Sequence, residues 1–169
     1  MPLQDKEKIA VLSAIAIAIH SIENLIPMPV PWLRLGLSNI ITLIAFLLFG
    51  LRVAFMITLV RVSVSSMLIG TFPGPAFILS LSGGLTGLAG LWFSSVLPFF
   101  GITGLSVIAA LFHILGQLLV AYYLFIKRPE ALFAIAPFLI LLSTITGTIN
   151  GYITSGILRK LRNSAGFKC

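Results

Sequence analysis

The feature that most constrains this chain is a succession of apolar runs, each close to 20 residues long and parted by short polar breaks. A helix needs about 20 residues to cross a hydrocarbon core roughly 30 Å thick. Only 9% of the 169 residues are charged, against about 25% in soluble domains, so a normal wet surface is out of reach. The runs lack the strict alternation over about 10 residues that marks a transmembrane barrel. The expected fold is all-α: an integral membrane bundle of six transmembrane helices, near 9–26, 35–49, 53–69, 76–92, 105–126 and 131–158. Those spans fill one domain, 1–169, with a short polar arm at 1–8 and a basic tail at 159–169. The first run has no small-residue cleavage site and leads into further spans, so it reads as a retained helix.

The formal net charge of +7 would suit a nucleic-acid partner in a soluble protein. Here the basic residues collect at span ends, where they fix topology and meet lipid headgroups, and no nucleic acid is expected. Lys6, Lys8, Arg52, Arg159, Lys160, Arg162 and Lys168 fall on the side of the termini, and Arg34, Lys127 and Arg128 on the other. That bias places both termini in the cytoplasm and the chain, multi-pass, in the cell membrane. Cys169 is the only thiol, which excludes disulfide frameworks and cysteine metal clusters. No period of 20 to 50 residues repeats.

One stretch departs from the apolar pattern. His20 to Asn39 holds Glu23, Asn24, Arg34 and Asn39, with Pro27, Pro29 and Pro31 between them. Polar groups at a membrane boundary are costly unless they have partners or a task. His20, Glu23 and Asn24 share one helix face by their i, i+3, i+4 spacing. Counting about 1.5 Å per residue puts them in the outer third of span 1 and Asn39 near the outer end of span 2. Arg61 then lies near the midplane with Ser65 one turn above it, and His113 is central with Gln117 above. Asn150, on span 6, falls in the inner half. The expected substrate-binding set is Glu23, Asn24, Asn39, Arg61, Ser65, His113 and Gln117, under a proline-spaced lid with Trp32 and Arg34 at its rim.

Each of these has a plainer alternative. A mid-span Arg costs at least about 2.5 kcal/mol to insert, so Arg61 must be paired, hydrated or bound to an anion. An internal ion pair with Glu23 meets that need, as does recognition of a substrate carboxylate or phosphate. His113 and Gln117 can bond across helices as polar glue. Two histidines on different spans, with no acid or thiol cluster beside them, make no metal site. Asn150, between Gly147 and Gly151, suits helix packing. Ala10, Ala14 and Ala18 form a small-residue row that packs inside the bundle or docks another membrane helix. In span 4, Ser80, Ser82, Gly83, Gly84, Gly87 and Gly90 suggest close packing with neighbours and a break near Gly83-Gly84.

The order of Glu23, the proline-spaced turn, Leu35-Gly36-Leu37-Ser38-Asn39, mid-span Arg61, Ser82-Gly83-Gly84 and His113 with Gly116-Gln117 resembles one family over nearly the whole chain. It looks like the small bacterial membrane proteins labelled heptaprenyl diphosphate synthase component I, also called the Gx transporter family. That family is similar in size and six-helix layout to the substrate-binding S components of energy-coupling factor transporters. The resemblance implies an S-component-like bundle whose small-residue row, here Ala10, Ala14 and Ala18, meets a transmembrane coupling subunit worked by ATPases. The polar stretch matches no vitamin-specific motif, so substrate identity does not transfer.

The synthase label implies a reaction that needs acid clusters to hold magnesium against a diphosphate. Asp5 is the only Asp, and just four acids occur in all. No enzymatic activity, catalytic residue or cofactor is therefore expected of this chain alone. No phosphate-binding loop of the G-x-x-x-x-G-K-[ST] type occurs either, so energy would come from partners. The expected role is a substrate-binding subunit for uptake of a small anionic or amphipathic molecule. The rival is a non-catalytic accessory subunit of an isoprenoid or quinone pathway, and a third option is a proton-coupled carrier using Glu23 and His113.

Overall fold

The structure is a computed structural model and describes residues 3–25, 36–124 and 129–165. Six helices and no strand occur among the described residues: α1 Leu3–Leu25, α2 Asn39–Phe49, α3 Leu51–Ile69, α4 Pro75–Ser95, α5 Ile102–Leu124 and α6 Pro129–Ala165. Helices α3 to α6 are long and apolar enough to cross a membrane, while the apolar parts of α1 and α2 are shorter. The chain is a helical membrane protein.

Three boundaries differ from the sequence expectation. Helix α1 begins at Leu3, because nothing between Leu3 and Lys8 interrupts it, so the polar arm is its first turns. Helix α6 runs to Ala165 and carries most of the basic tail on helix. Helix α4 is continuous through Gly83-Gly84; both glycines lie against close neighbours, and no break forms.

Helix α2 is the innermost element. Its 11 residues span about 16 Å, roughly half a hydrocarbon core. Ile40 through Ala45 are all buried, so this part of the helix is covered on every side, with Thr42 its one polar residue. Its start is a tight turn in which the Asn39 N–H bonds Gly36 O at 2.9 Å. Gly36 takes φ +72° there, a left-handed conformation that glycine adopts without steric cost. At its other end Gly50, at φ +84°, alone joins α2 to α3.

Helix α1 packs on α3 and α2, and α3 reaches α4; the broadest interfaces join α4 to α5 and α5 to α6. The main apolar core gathers Ala16, Ile41, Ile44, Ala54, Ile57, Leu88 and Leu91 around α2. A smaller cluster of Ile114, Leu118 and Leu139 lies between α5 and α6. Small residues make the α4–α5–α6 contacts possible. A Cβ on Gly151 would stand 2.6 Å from Thr103 Cα, and one on Gly147 would stand 2.9 Å from Val107 Cα.

Candidate functional site

The polar groups meet where α2 begins. Glu23, 6% exposed, does not form the expected ion pair with Arg61: no such pair occurs among the described residues. Its Oε1 accepts the Leu37 N–H at 2.6 Å and its Oε2 accepts the Ser38 N–H at 3.2 Å. Amides at the start of a helix have no partner within it, and they present the positive end of the helix dipole. The start of α2 therefore holds this carboxylate. His20 stands beside it, with Nδ1 3.8 Å from Glu23 Oε2 and 3.3 Å from Ser38 Oγ.

Arg61 is 1% exposed, and its Nη2 donates to Asn39 Oδ1 at 3.1 Å. Asn39, the first residue of α2, thus meets Arg61 of α3. Asn150 of α6 donates its Nδ2 to Gly36 O at 2.9 Å, tying α6 to the turn before α2.

On α5, the Gln117 amide nitrogen lies 3.1 Å from His113 Nε2, one turn away on the same helix. Both residues press against Gly83 of α4, where a Cβ would come within 2.9 Å of the His113 ring and 2.8 Å of Gln117 Cγ. Gly84 sits equally close to Thr58 of α3. The glycine pair lets α4 approach both Arg61's helix and His113's helix.

A small void lies among His20, Glu23, Gly36, Ser38, Arg61, Ser80 and His113, with room for about one water molecule. Ser65 is not part of its lining. Its Oγ donates to Ile17 O at 3.3 Å and accepts from Ser21 Oγ at 3.4 Å, joining α3 to α1. A second small void, bounded by Asn39, Thr42, Gly84, Ser106 and Asn150 among others, lies on the far side of the Arg61–Asn39 contact. Trp32, Arg34 and the proline-spaced lid fall outside the described residues, as does the side chain of Asn24.

The sequence reading passed over Ser80, Ser38 and Gly36 as lining groups. Ser80 shares a helix face with Gly83, Gly84 and Gly87 by its i, i+3, i+4, i+7 spacing, and that was the signal available. Ser38 and Gly36 required knowing that Glu23 caps α2.

The polar end of α1 faces inward, and its small-residue row does not. Ala16, His20 and Glu23 are buried, whereas Ala10, Ala14 and Ala18 are exposed together with Val11, Ile15 and Ile22. The row is not used for packing within the described bundle.

The family model described as heptaprenyl diphosphate synthase component I matches residues 12–157. No curated protein and no solved structure matches the chain.

Proposed function

The chain belongs to the heptaprenyl diphosphate synthase component I family, and on that footing we propose that it is a substrate-binding membrane subunit of an uptake system, similar in role to S components of energy-coupling factor transporters. It takes up a small anionic or amphipathic molecule in the cell membrane, with both termini cytoplasmic, and performs no catalysis itself. The observation that carries this reading is the exposure of Ala10, Ala14 and Ala18 along one face of α1. In lipid, helices associate where small residues allow close approach, and this row is left open to a transmembrane coupling subunit served by ATPases. The polar void beside Arg61, on the opposite face of the same helix, supplies a ligand site next to that docking surface.

In the conformation described the void is nearly filled. A ligand larger than water enters only when the contacts joining α1 to α2 and α3 give way, which would couple binding to movement of the docking helix. The expected experiment has two arms. Ligand co-purifying with the protein should be found by mass spectrometry and lost in Arg61→Ala but kept in Arg52→Ala, at an exposed site on α3. A photo-crosslinker at position 14 should capture a membrane subunit that partners ATPases. Failure of both arms would sink the proposal.

The family's description favours a second reading, an accessory subunit that brings a soluble prenyl synthase to the membrane. Capture of such a synthase, in place of a coupling subunit, would select it.

A further inference from the structure

Helix α6 outruns its neighbour. A Cβ on Gly151 would stand 2.6 Å from the Cα of Thr103, the second residue of α5, so the two helices part company at that level. From Gly151 the chain stays helical to Ala165, about 21 Å further at roughly 1.5 Å per residue. The overhang leaves a groove of about 260 Å³, bounded by Ile102, Ser155, Leu158 and Arg159. The last three share one face of α6 by their i, i+3, i+4 spacing. Ile102 and Leu158 back onto the main apolar core, which gives the groove an apolar floor. Ser155 Oγ is occupied by its own helix, donating to Tyr152 O at 2.8 Å.

The rim is cationic. Arg159 and Lys160 are exposed, and Arg159 makes no ion pair among the described residues. At the same end of the bundle the sequence sets Lys6, Lys8, Arg52 and Arg162 against only Asp5 and Glu7. Two further observations place this end at a membrane surface. The connection 96–101, which leads into Ile102, carries no charge and exposes Val96, Leu97, Phe100 and, at 86%, Phe99. Tyr152, three residues before Ser155, is 77% exposed. A contiguous exposed apolar patch marks a contact with membrane or protein, and tyrosine collects where hydrocarbon meets headgroups. An apolar floor under a cationic rim at that level matches the two parts of one molecule, an acyl chain and an anionic phosphate headgroup. A soluble anion would leave the floor bare, and a zwitterionic lipid would bring its own ammonium to Arg159 and Lys160.

We infer that the overhang of α6 beyond α5 binds an anionic phospholipid, whose phosphate pairs with Arg159 and whose acyl chain lies over Ile102 and Leu158. The lipid supplies the packing that α5 is too short to give.

The test adds phosphatidylglycerol or phosphatidylcholine, with the same acyl chains, to the full chain in detergent. Retained lipid is read by native mass spectrometry, and the thermal unfolding midpoint is followed alongside. Phosphatidylglycerol should be retained and should raise the midpoint at concentrations where phosphatidylcholine does neither. Arg159→Gln, at an exposed position, should fold as the native chain does and need about fivefold more phosphatidylglycerol, the share of one basic residue at an anionic surface. Ser155→Trp fills the groove and leaves every charge in place, so it should abolish retention, while Ser155→Ala should bind normally. Arg52→Gln, at the same end but outside the groove, should also bind normally. Equal retention of the two lipids, no retained lipid, or retention indifferent to Ser155→Trp would overturn the inference. Equal losses in Arg159→Gln and Arg52→Gln would overturn it by showing diffuse surface charge in place of a site. A midpoint shift reproduced by glycerol 1-phosphate would do so by assigning the rim to a soluble anion.

Discussion

Two halves of the bundle are held together by different physics. In α4–α5–α6 the helices meet through glycines that leave no room for even a methyl group: Gly151 against Thr103, Gly147 against Val107, and Gly90 against Phe112. In α1–α2–α3 the apolar core around α2 is supplemented by hydrogen bonds between side chains and backbone: Glu23 to the Leu37 and Ser38 amides, and Ser65 to Ile17 O. Close packing of backbones cannot be exchanged for anything else, whereas a hydrogen bond can be exchanged for one to water or ligand. The first half thus makes a fixed wall carrying Ser80 and His113. The second half makes a latch that carries Glu23 and can release. Arg61, on α3, stands between them.

The largest effect should come from wedging the fixed wall. Gly151→Leu must push against the Thr103 backbone, which cannot rotate away, and overpacking of this kind costs about 1–3 kcal/mol even for small insertions. Failure to recover folded protein is expected, with Gly151→Ala recovered but melting lower. Gly156, on the same helix with nothing within 4 Å of its would-be Cβ, is the control. Gly156→Ala should be neutral or stabilising, by up to about 1 kcal/mol. If both alanine variants melt alike, glycine contact is not what binds α5 to α6.

The latch should fail next. Glu23→Ala leaves the Leu37 and Ser38 amides, just before α2, without their acceptor, at about 1–3 kcal/mol for each buried donor. Glu23→Gln keeps one acceptor and loses the charge facing the helix dipole, so it should fall between the native chain and Glu23→Ala in resistance to denaturing detergent. Equal stability of all three would mean that the carboxylate does not hold α2. Ser65→Ala should cost less, about 0.6 kcal/mol, the average for an interhelical hydrogen bond in a membrane protein.

The contrast also explains what could be read in advance. Six helices and their approximate limits follow from apolar run length, which is local information. The glycine-rich face of α4 was visible too, although its continuity was not, since Gly83-Gly84 breaks a helix or packs one depending on neighbours that only the fold supplies. Arg61, Asn39, His113 and Gln117 stood out because polarity inside an apolar run is costly. Their pairing did not follow from it. Glu23 was matched to Arg61 as the opposite charge, but the amides of α2 compete for the same carboxylate, and backbone donors leave no trace in the sequence. The Arg61–Asn39 and Asn150–Gly36 contacts were not foreseen either, because counting residues along a helix gives depth and not partners.

The smallest stability effect tests the outer face of the latch. Ala14→Leu adds bulk to an exposed position on α1, away from Glu23, His20 and Ser65, so the midpoint of the isolated protein should move by no more than about 0.5 kcal/mol equivalent. Because a small-residue row works by letting backbones approach, the added side chain should nevertheless remove capture of a coupling subunit by the photo-crosslinker placed at Ala18. Glu23→Ala gives the opposite pattern, a weakened bundle that leaves the alanine row unchanged in composition. If Ala14→Leu instead destabilises the isolated chain as much as Glu23→Ala does, the row is an internal packing surface. The division between an inward polar face and an outward docking face of α1 would then be lost.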